Sequence, residues 1–178
     1  MYVLLRCQLC PIGRRAVRLT VYTDYSLRVL MFLALKRDRL ATISEIAKAF
    51  DISKNHLMKV VHQLGVAGYV TTVRGKGGGL RLARRPDEIV LGEVVRRTEP
   101  DMALVPCLAP DDAFCMIFPS CALRSVLTEA RDAFLAVLDR CSLADLVQRR
   151  ARLRKLLSIE ADTGTLPRQM TRQRRARV

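Results

Sequence analysis

The order of hydrophobic and polar positions predicts a chain built mainly of amphipathic helices, with two short strands near its middle. In the first helix, apolar side chains recur at the i, i+3, i+4 and i+7 spacing of one helical face: Leu27, Leu30, Met31 and Ala34. We expect this helix to begin near Thr23 and Asp24, because an acidic residue in the first turn stabilises a helix N-terminus. One interpretation is therefore that Asp24 stabilises the start of this helix.

Two short helices joined by a tight turn follow the first one. Thr42-Ile-Ser-Glu45 has the S/T-x-x-E pattern of a capping box, which predicts a helix start. Ser53 is the predicted N-cap of the next helix, which extends to Leu64. The residues expected on its buried face are Leu57, Val60, Val61 and Leu64. This arrangement is typical of a helix-turn-helix, although a generic three-helix bundle has the same pattern.

The second helix of this pair has a polar outer face that we interpret as a DNA-reading surface. In a helix-turn-helix, the N-terminal residues of the recognition helix point into the major groove. The candidate DNA-contacting residues on this helix are Ser53, Lys54, Asn55, His56 and Lys59.

A glycine-rich hairpin comes next in the chain. The pattern predicts strands from Tyr69 to Val73 and from Leu80 to Ala83, with three consecutive glycines before the second strand. Glycine permits positive φ and a close approach of the backbone, so this segment is interpreted as a thin wing. Arg74 and Lys76 lie at its tip, where they are candidates for contact with phosphates or with a minor groove.

The second half is predicted to contain a short helix ending near Thr98 and a long amphipathic helix from Cys121 to about Arg140. One apolar stripe runs along the long helix: Leu123, Val126, Leu127, Ala130, Phe134, Val137 and Leu138. We expect this stripe to form a twofold homodimer, with packing onto the chain's own helices as the alternative. The predicted fold is therefore mainly α: a winged helix-turn-helix with a small β-hairpin wing and a long dimerisation helix.

Charge divides the 178-residue chain, whose formal net charge is +14, into four regions. Residues 1–16 are interpreted as an N-terminal extension, and a start of translation at Val17 is the alternative. Residues 17–85, the winged helix-turn-helix region, contain 13 Lys and Arg against 4 Asp and Glu, which predicts contact with a polyanion. Residues 86–148 are acidic and contain the cysteine loop and the dimerisation helix. Residues 149–178 form a basic tail that we expect to begin as a frayed helix and then to be disordered.

Composition indicates a cytoplasmic protein without a membrane partner. No run of about 18 apolar residues occurs, and the first ten residues lack the features of a secretory signal. In the cytoplasm the six cysteines would stay reduced. Cys7 and Cys10 have a C-x-x-C spacing, but no second pair accompanies them, and we assign them no function.

Three cysteines lie in one proline-containing loop. Cys107, Cys115 and Cys121 are separated by seven and then five residues. Thiolates are the ligands that iron–sulfur clusters and zinc prefer, and a helix starting after Ser120 would stabilise a thiolate at its N-terminus. Three ligands are one short of four, so a fourth must come from elsewhere. A structural zinc site, a disulfide with a spare thiol, and three buried free thiols are the alternatives.

Taken in this order, the helix-turn-helix, glycine wing, three-cysteine loop and long helix resemble the NsrR-type repressors. This is a dimeric winged-helix family whose iron–sulfur cluster senses nitric oxide. The similarity runs from about Val17 to Val147. The motifs that carry it are Leu19-Thr-Val-Tyr-Thr-Asp24, Asn55-His-Leu-Met-Lys-Val-Val61, Val73-Arg-Gly-Lys-Gly-Gly-Gly-Leu80 and the cysteine triplet.

The resemblance implies a ligand set and a mechanism. Cys107, Cys115 and Cys121 would ligate the cluster, and Asp24 from the partner subunit is the fourth ligand in at least some members. The resemblance also implies a double-stranded operator DNA, nitric oxide as the signal, and release of the operator when the cluster is nitrosylated or lost. The cluster can be of the 2Fe–2S or the 4Fe–4S type.

Other functions remain open at this point. The related IscR-like regulators of cluster biogenesis have a histidine three residues after the last cysteine, and this chain has Arg124 there, which favours the nitric-oxide sensor. A zinc-stabilised DNA-binding protein without sensing is a further alternative. An electron-transfer protein would not need the basic helix-turn-helix. No nucleophile–base–acid set accompanies the two histidines, so we do not expect an enzyme.

Overall fold

The computed structural model describes residues 18–109, 115–117 and 120–159. The N-terminal extension and residues 160–178 therefore lie outside the described residues. In the described part, the helices are α1 (Val21–Leu35), α2 (Ile43–Phe50), α3 (Lys54–Val66), α4 (Leu91–Thr98), α5 (Ala122–Asp139), α6 (Leu143–Leu146) and α7 (Arg150–Leu156). Strands β1 (Val70–Val73) and β2 (Gly79–Leu82) pair antiparallel, with Val70 opposite Leu82. The predicted mainly helical fold with one hairpin is confirmed.

The start of α1 is capped by Thr20, the residue directly before the helix. Thr20 has an extended backbone, and its hydroxyl oxygen accepts a hydrogen bond from the N–H of Thr23 at 3.2 Å. The helix therefore begins at Val21, earlier than the start predicted near Thr23, and Asp24 lies in its first turn. The prediction used the apolar spacing, which marks the buried face of the helix. This spacing gives no information on the polar residues that cap the helix.

The helix-turn-helix is confirmed, and α3 continues to Val66, two residues beyond its predicted end at Leu64. The Thr42 hydroxyl accepts from the N–H of Glu45 at 3.2 Å, while the Glu45 carboxylate accepts from the N–H of Thr42 at 2.7 Å, which completes the capping box. Asp51 ends α2 in the left-handed conformation, with φ of 53°. The predicted inward face of α3 is buried: Leu57, Val60, Val61 and Leu64. These side chains pack on α1, whose Val29, Leu30, Ala34 and Leu35 are fully buried.

Strand β1 begins one residue later than predicted, and β2 has the predicted length but lies one residue earlier in the chain. Gly75 and Gly77 at the tip have positive φ values of 100° and 79°, as a thin glycine loop requires. Gly79 is needed for another reason, because a Cβ atom there would lie 2.7 Å from the carbonyl oxygen of Ala41. Ala41 pairs with Leu80 through two backbone hydrogen bonds of 3.0 and 2.7 Å, which attach the wing to the segment before α2.

The long helix α5 begins one residue later than predicted and is packed on α4. Its N-cap is Cys121, so Ser120 does not cap it. Near the other end, Arg96 of α4 donates two hydrogen bonds of 2.6 Å to the carboxylate of Asp139. None of the residues of α5 is fully buried, and the stripe residues Leu123, Val126, Phe134 and Val137 are exposed.

The basic tail begins with a helix, as expected, but this helix packs on the core instead of being frayed. Residues 150–156 form α7, and Ile159 is only 7% exposed. Leu153 of α7 and Leu157, the C-cap of this helix, pack on the core, which supplies the tertiary contacts that the charge count did not reveal. Among the described helices, none combines the length and apolar character that crossing a bilayer requires.

Candidate functional site

The predicted DNA-contacting residues of α3 share one exposed surface. Ser53 is the N-cap, and its hydroxyl oxygen accepts from the N–H of His56 at 3.3 Å. Five side chains at this end of the helix are exposed: Ser53, Lys54, Asn55, His56 and Lys59. Because the opposite face of α3 is buried in the core, the helix can present this surface without losing its packing.

The tip of the wing forms a second exposed cationic surface. Arg74 and Lys76 are both exposed, and neither forms an ion pair with another residue of the described part. Cations without a protein partner remain available to phosphate oxygens, which dominate the affinity of proteins for DNA.

The recognition helix also contacts the first turns of α1. The ring of Tyr25 lies 6.2 Å from the ring of His56, measured between centroids. Tyr25 directly follows Asp24, so a side chain next to the proposed fourth ligand touches a residue of the candidate DNA surface. No pattern in the sequence indicates this contact, because the two rings belong to separate helices with unrelated patterns.

The three cysteines of the loop are free and half-buried. Cys107 lies in a single 3-10 turn over residues 106–108, and Cys121 is the N-cap of α5 without a side-chain hydrogen bond. Residues 110–114 and 118–119, between the thiols, lie outside the described residues. In the described part, no three His, Cys, Asp or Glu side chains form a group that could hold a metal, so the thiols are not gathered there into one ligand set.

The chemistry of the thiols fits a thiophilic metal centre. All three are reduced and have no disulfide partner in the described part of the chain. Cys121 is the N-cap of an 18-residue helix, so the last thiol of the loop is held at the start of α5. These residues could therefore ligate iron or zinc.

Asp24 is held by an ion pair within its own chain. Its two carboxylate oxygens accept hydrogen bonds from Nε of Arg28 at 3.0 and 2.9 Å, one turn further along α1. The side chain of Asp24 is 46% exposed, so a group from outside the chain can reach it. The guanidinium of Arg28 also lies 5.6 Å from the ring centroid of Phe50, which fixes the cation against α2.

Sequence reasoning missed a polar cluster where the end of α4 meets the start of α1. Oε1 of Glu99 accepts from the N–H and the hydroxyl of Thr20 at 2.8 and 3.1 Å. The hydroxyl of Thr23 donates to the hydroxyl oxygen of Thr98 at 2.9 Å. No local sequence pattern indicates these contacts, because their partners are far apart in the chain. Thr20 and Glu99 are separated by 79 positions, and Thr23 and Thr98 by 75 positions.

An open groove of about 880 Å³ lies beside the segment that leads to Cys107. Its apolar lining includes Met102, Leu104 and Val105 on one side and Phe134 of α5 on the other. Phe134 belongs to the exposed stripe, so the groove is continuous with the surface for which we predicted dimerisation.

Comparison with known proteins places these features in one family. A profile of the Rrf2 family, described as an iron-dependent transcriptional regulator, matches residues 19–149. The HTH-type transcriptional regulator NsrR of Bacillus subtilis (strain 168) is 52% identical over 145 residues, which are 81% of this chain and 99% of that protein. The regulator of the same name from Geobacillus kaustophilus (strain HTA426) is 53% identical over 142 residues, 79% of this chain and 97% of that protein.

Solved structures agree with this assignment. CymR (YrzC), the global cysteine regulator of B. subtilis, has a TM-score of 0.62 at 28% identity, with 75% of this chain and 98% of that chain covered. IscR of T. potens has a TM-score of 0.62 at 25% identity, with 77% of this chain and 90% of that chain covered.

Proposed function

This chain belongs to the Rrf2 family of transcriptional regulators, and we propose that it is a homodimeric repressor that releases operator DNA in response to nitric oxide. Its relatives are named as transcriptional regulators, and the chain is not an enzyme. The observation that carries the sensing part of the proposal is the set of three free, half-buried thiols directly before an exposed apolar helix.

The DNA-binding part rests on two exposed surfaces. The N-terminal end of α3 would enter the major groove, with Ser53, Lys54, Asn55, His56 and Lys59 as the contacting residues. Arg74 and Lys76 at the wing tip would bind phosphates or an adjacent minor groove. A double-stranded operator with two half-sites about one helical turn apart suits a twofold dimer of such units.

The dimer would form through α5. Four large apolar side chains of its stripe are exposed in the single chain: Leu123 by 61%, Val126 by 59%, Phe134 by 44% and Val137 by 52%. Their exposure supports the homodimer over the alternative of packing within the chain, because contiguous exposed apolar surface of this kind marks an interaction site. A second copy would cover the same stripe on both chains.

The sensing part assigns an iron–sulfur cluster to Cys107, Cys115 and Cys121, with Asp24 of the partner chain as the fourth ligand. When bound, the cluster would supply iron that reacts with nitric oxide, and nitrosylation or loss of the cluster would release the operator. The carboxylate of Asp24 is a harder ligand than a thiolate and is already paired with Arg28, so its bond to iron would be the weakest of the four.

A contact within the chain would connect the ligand set to DNA. As a ligand of the partner's cluster, Asp24 would give up its ion pair with Arg28 and would attach the first turn of α1 to the partner chain. Tyr25 follows Asp24 and touches His56, so a shift of α1 would change the position of the recognition helix. Loss of the Asp24 bond would change the spacing of the two recognition helices. A regulator that depends on DNA and on reduced thiols would act in the cytoplasm.

Metal analysis tests the ligand assignment. We expect the protein purified without oxygen to contain iron and sulfide, and to shift a DNA duplex that it has selected from a random-sequence pool. Cys115→Ser should lose both properties. Cys141→Ser is the matched control, because Cys141 is a free, half-buried thiol outside the loop, and it should keep both. A colourless, zinc-loaded protein that binds DNA equally well would favour the zinc-stabilised alternative.

The Asp24 assignment has its own test. Cluster-loaded Asp24→Ala should bind the selected duplex more weakly than wild type and should respond less to nitric oxide. Asp87→Ala is the control, because Asp87 is also an exposed acid paired with an arginine of its own chain, Arg85. Unchanged affinity and unchanged release in Asp24→Ala would refute the route through α1.

A further inference from the structure

The C-terminal end of α4, which precedes the cysteine loop in the chain, meets the start of α1. Glu99 is the C-cap of α4, and its Oε1 accepts from the N–H of Thr20 at 2.8 Å and from the hydroxyl of Thr20 at 3.1 Å. In a capping box, a glutamate at the third helical position accepts from the N-cap N–H. Position three of α1 is Thr23, which has no carboxylate, so Glu99 supplies that function from another helix.

Every hydroxyl hydrogen of this cluster has an acceptor. Thr23 donates to Thr98 at 2.9 Å, and Thr98 donates to the carbonyl of Val94 at 2.9 Å. Because the hydroxyl hydrogen of Thr20 goes to Glu99, its oxygen is left to accept from the N–H of Thr23. Thr23 is fully buried and Thr98 is 8% exposed, so moving either helix end would leave buried polar groups unpaired.

We name Thr20, Thr23, Thr98 and Glu99 the α1–α4 polar cluster. On one side, Thr23 is followed directly by Asp24. On the other, Glu99 begins the segment that leads to Cys107, with seven residues between them. The polar cluster therefore fixes Thr23 relative to Glu99. Thr23 is next to the proposed ligand Asp24, and Glu99 starts the segment that leads to the proposed cysteine ligands.

We propose that the α1–α4 polar cluster couples the two iron–sulfur sites of the dimer, with Glu99 as the positioning residue. This inference rests on the proposed function, in which Asp24 ligates the partner's cluster while Cys107 of the same chain ligates its own. A change at the thiols of one chain then passes through Glu99 and Thr20 to Asp24, and so to the other site. The two clusters are bound and lost together, which is positive coupling between sites.

The contact itself is tested on protein without a cluster. In wild type, the amide hydrogen of Thr20 should be protected from exchange, because a carboxylate accepts it. In Glu99→Ala its exchange should be about tenfold faster or more, as loss of a hydrogen bond to a charged group implies. Glu93→Ala, which removes an exposed carboxylate from the same helix, should leave it unchanged. Equal exchange in Glu99→Ala and wild type would overturn the proposal.

The coupling is tested by native mass spectrometry of dimers in which half of the sites hold a cluster. Two independent sites give about half singly loaded dimers at that occupancy, and positive coupling gives fewer. We expect few singly loaded dimers in wild type and in Glu93→Ala, and about half in Glu99→Ala. Glu99→Gln keeps an acceptor oxygen and loses the charge, so its fraction of singly loaded dimers should lie between those of wild type and Glu99→Ala. This variant provides the comparison if Glu99→Ala does not fold.

The outcomes separate this inference from the function on which it rests. Iron-free wild-type protein from an anaerobic preparation would overturn the proposed function before any dimer is counted. A cluster-bearing wild type with about half singly loaded dimers would overturn the coupling alone. A distribution that is the same in wild type and Glu99→Ala would also overturn it, since Glu99 would then have no part in the coupling.

Discussion

Glu45 illustrates how much one side chain can contribute to the DNA-binding region. It completes the capping box of α2 and also accepts a hydrogen bond of 2.5 Å from Nζ of Lys36, whose side chain is only 3% exposed. Lys36 is the C-cap of α1, so the pair joins the end of one helix to the start of the next. Burial alone would raise the pKa of Glu45, but hydrogen bonds from Lys36 and Thr42 outweigh it and hold the pKa below its ordinary value.

The pKa of Glu45 predicts a pH dependence of stability. Because the pKa is lower in the folded chain, the stabilisation is complete above the pKa of the unfolded carboxylate and is lost as pH falls through the folded value. Glu45→Gln should lower the free energy of unfolding by about 1–2 kcal/mol at neutral pH. The difference from wild type should shrink as the pH falls below the ordinary pKa of a glutamate and the Glu45 carboxylate of the folded chain becomes protonated. Urea denaturation at several pH values measures this difference in the free energy of unfolding, with Glu93→Gln as the exposed control. A difference that does not change with pH would contradict the lowered pKa of Glu45.

At the scale of elements, α1 has no basic residue in its last turn and takes its C-terminal cations from α7. Arg154 donates to the carbonyl oxygen of Leu35 at 3.0 Å and pairs with Asp38 at 3.3 Å, and Arg150 donates to the same carbonyl at 3.4 Å. Cations stabilise the negative end of a helix, so part of the basic tail serves the fold.

This contact predicts that arginines of α7 differ in their effect on stability. Arg154→Ala should lower the free energy of unfolding by about 1–2 kcal/mol, since a carbonyl and a carboxylate both lose a charged donor. Arg152→Ala removes an exposed cation from the same helix and should change stability by less than about 0.5 kcal/mol. Thermal denaturation of the two variants compares them directly. Equal losses would mean that α7 does not cap α1.

The elements that sequence predicts best are those whose signals are local. The capping residues Thr42 and Ser53 and the apolar spacing of α3 lie within a few residues of the structure they specify, and the helix-turn-helix followed from them. The packing of α7 and the contacts of Glu99, one of which is to the N–H of Thr20 at the start of α1, depend on partners distant in the chain. Such contacts leave no periodic pattern, so the sequence could not predict them.

At the scale of the whole molecule, the exposed stripe of α5 predicts that the chain is stable only as a dimer at its working concentration. Val126→Asp would bury an unpaired charge in the interface and should raise the dissociation constant of the dimer by more than about tenfold. Ala136→Asp places the same charge at an exposed position of α5 outside the stripe and should leave the dimer intact. Analytical ultracentrifugation separates these outcomes. A wild-type monomer would show that the stripe has another partner.

The central claim, that the state of a cysteine-bound cluster sets DNA affinity, is tested most directly by one titration. Nitric oxide is added without oxygen to the protein bound to its selected fluorescent duplex, and cluster absorbance and DNA anisotropy are recorded together. The account predicts that both signals fall in parallel in wild type and in Cys141→Ser. Protein that binds the duplex with the same affinity without iron, and keeps it when nitric oxide is added, would contradict the account.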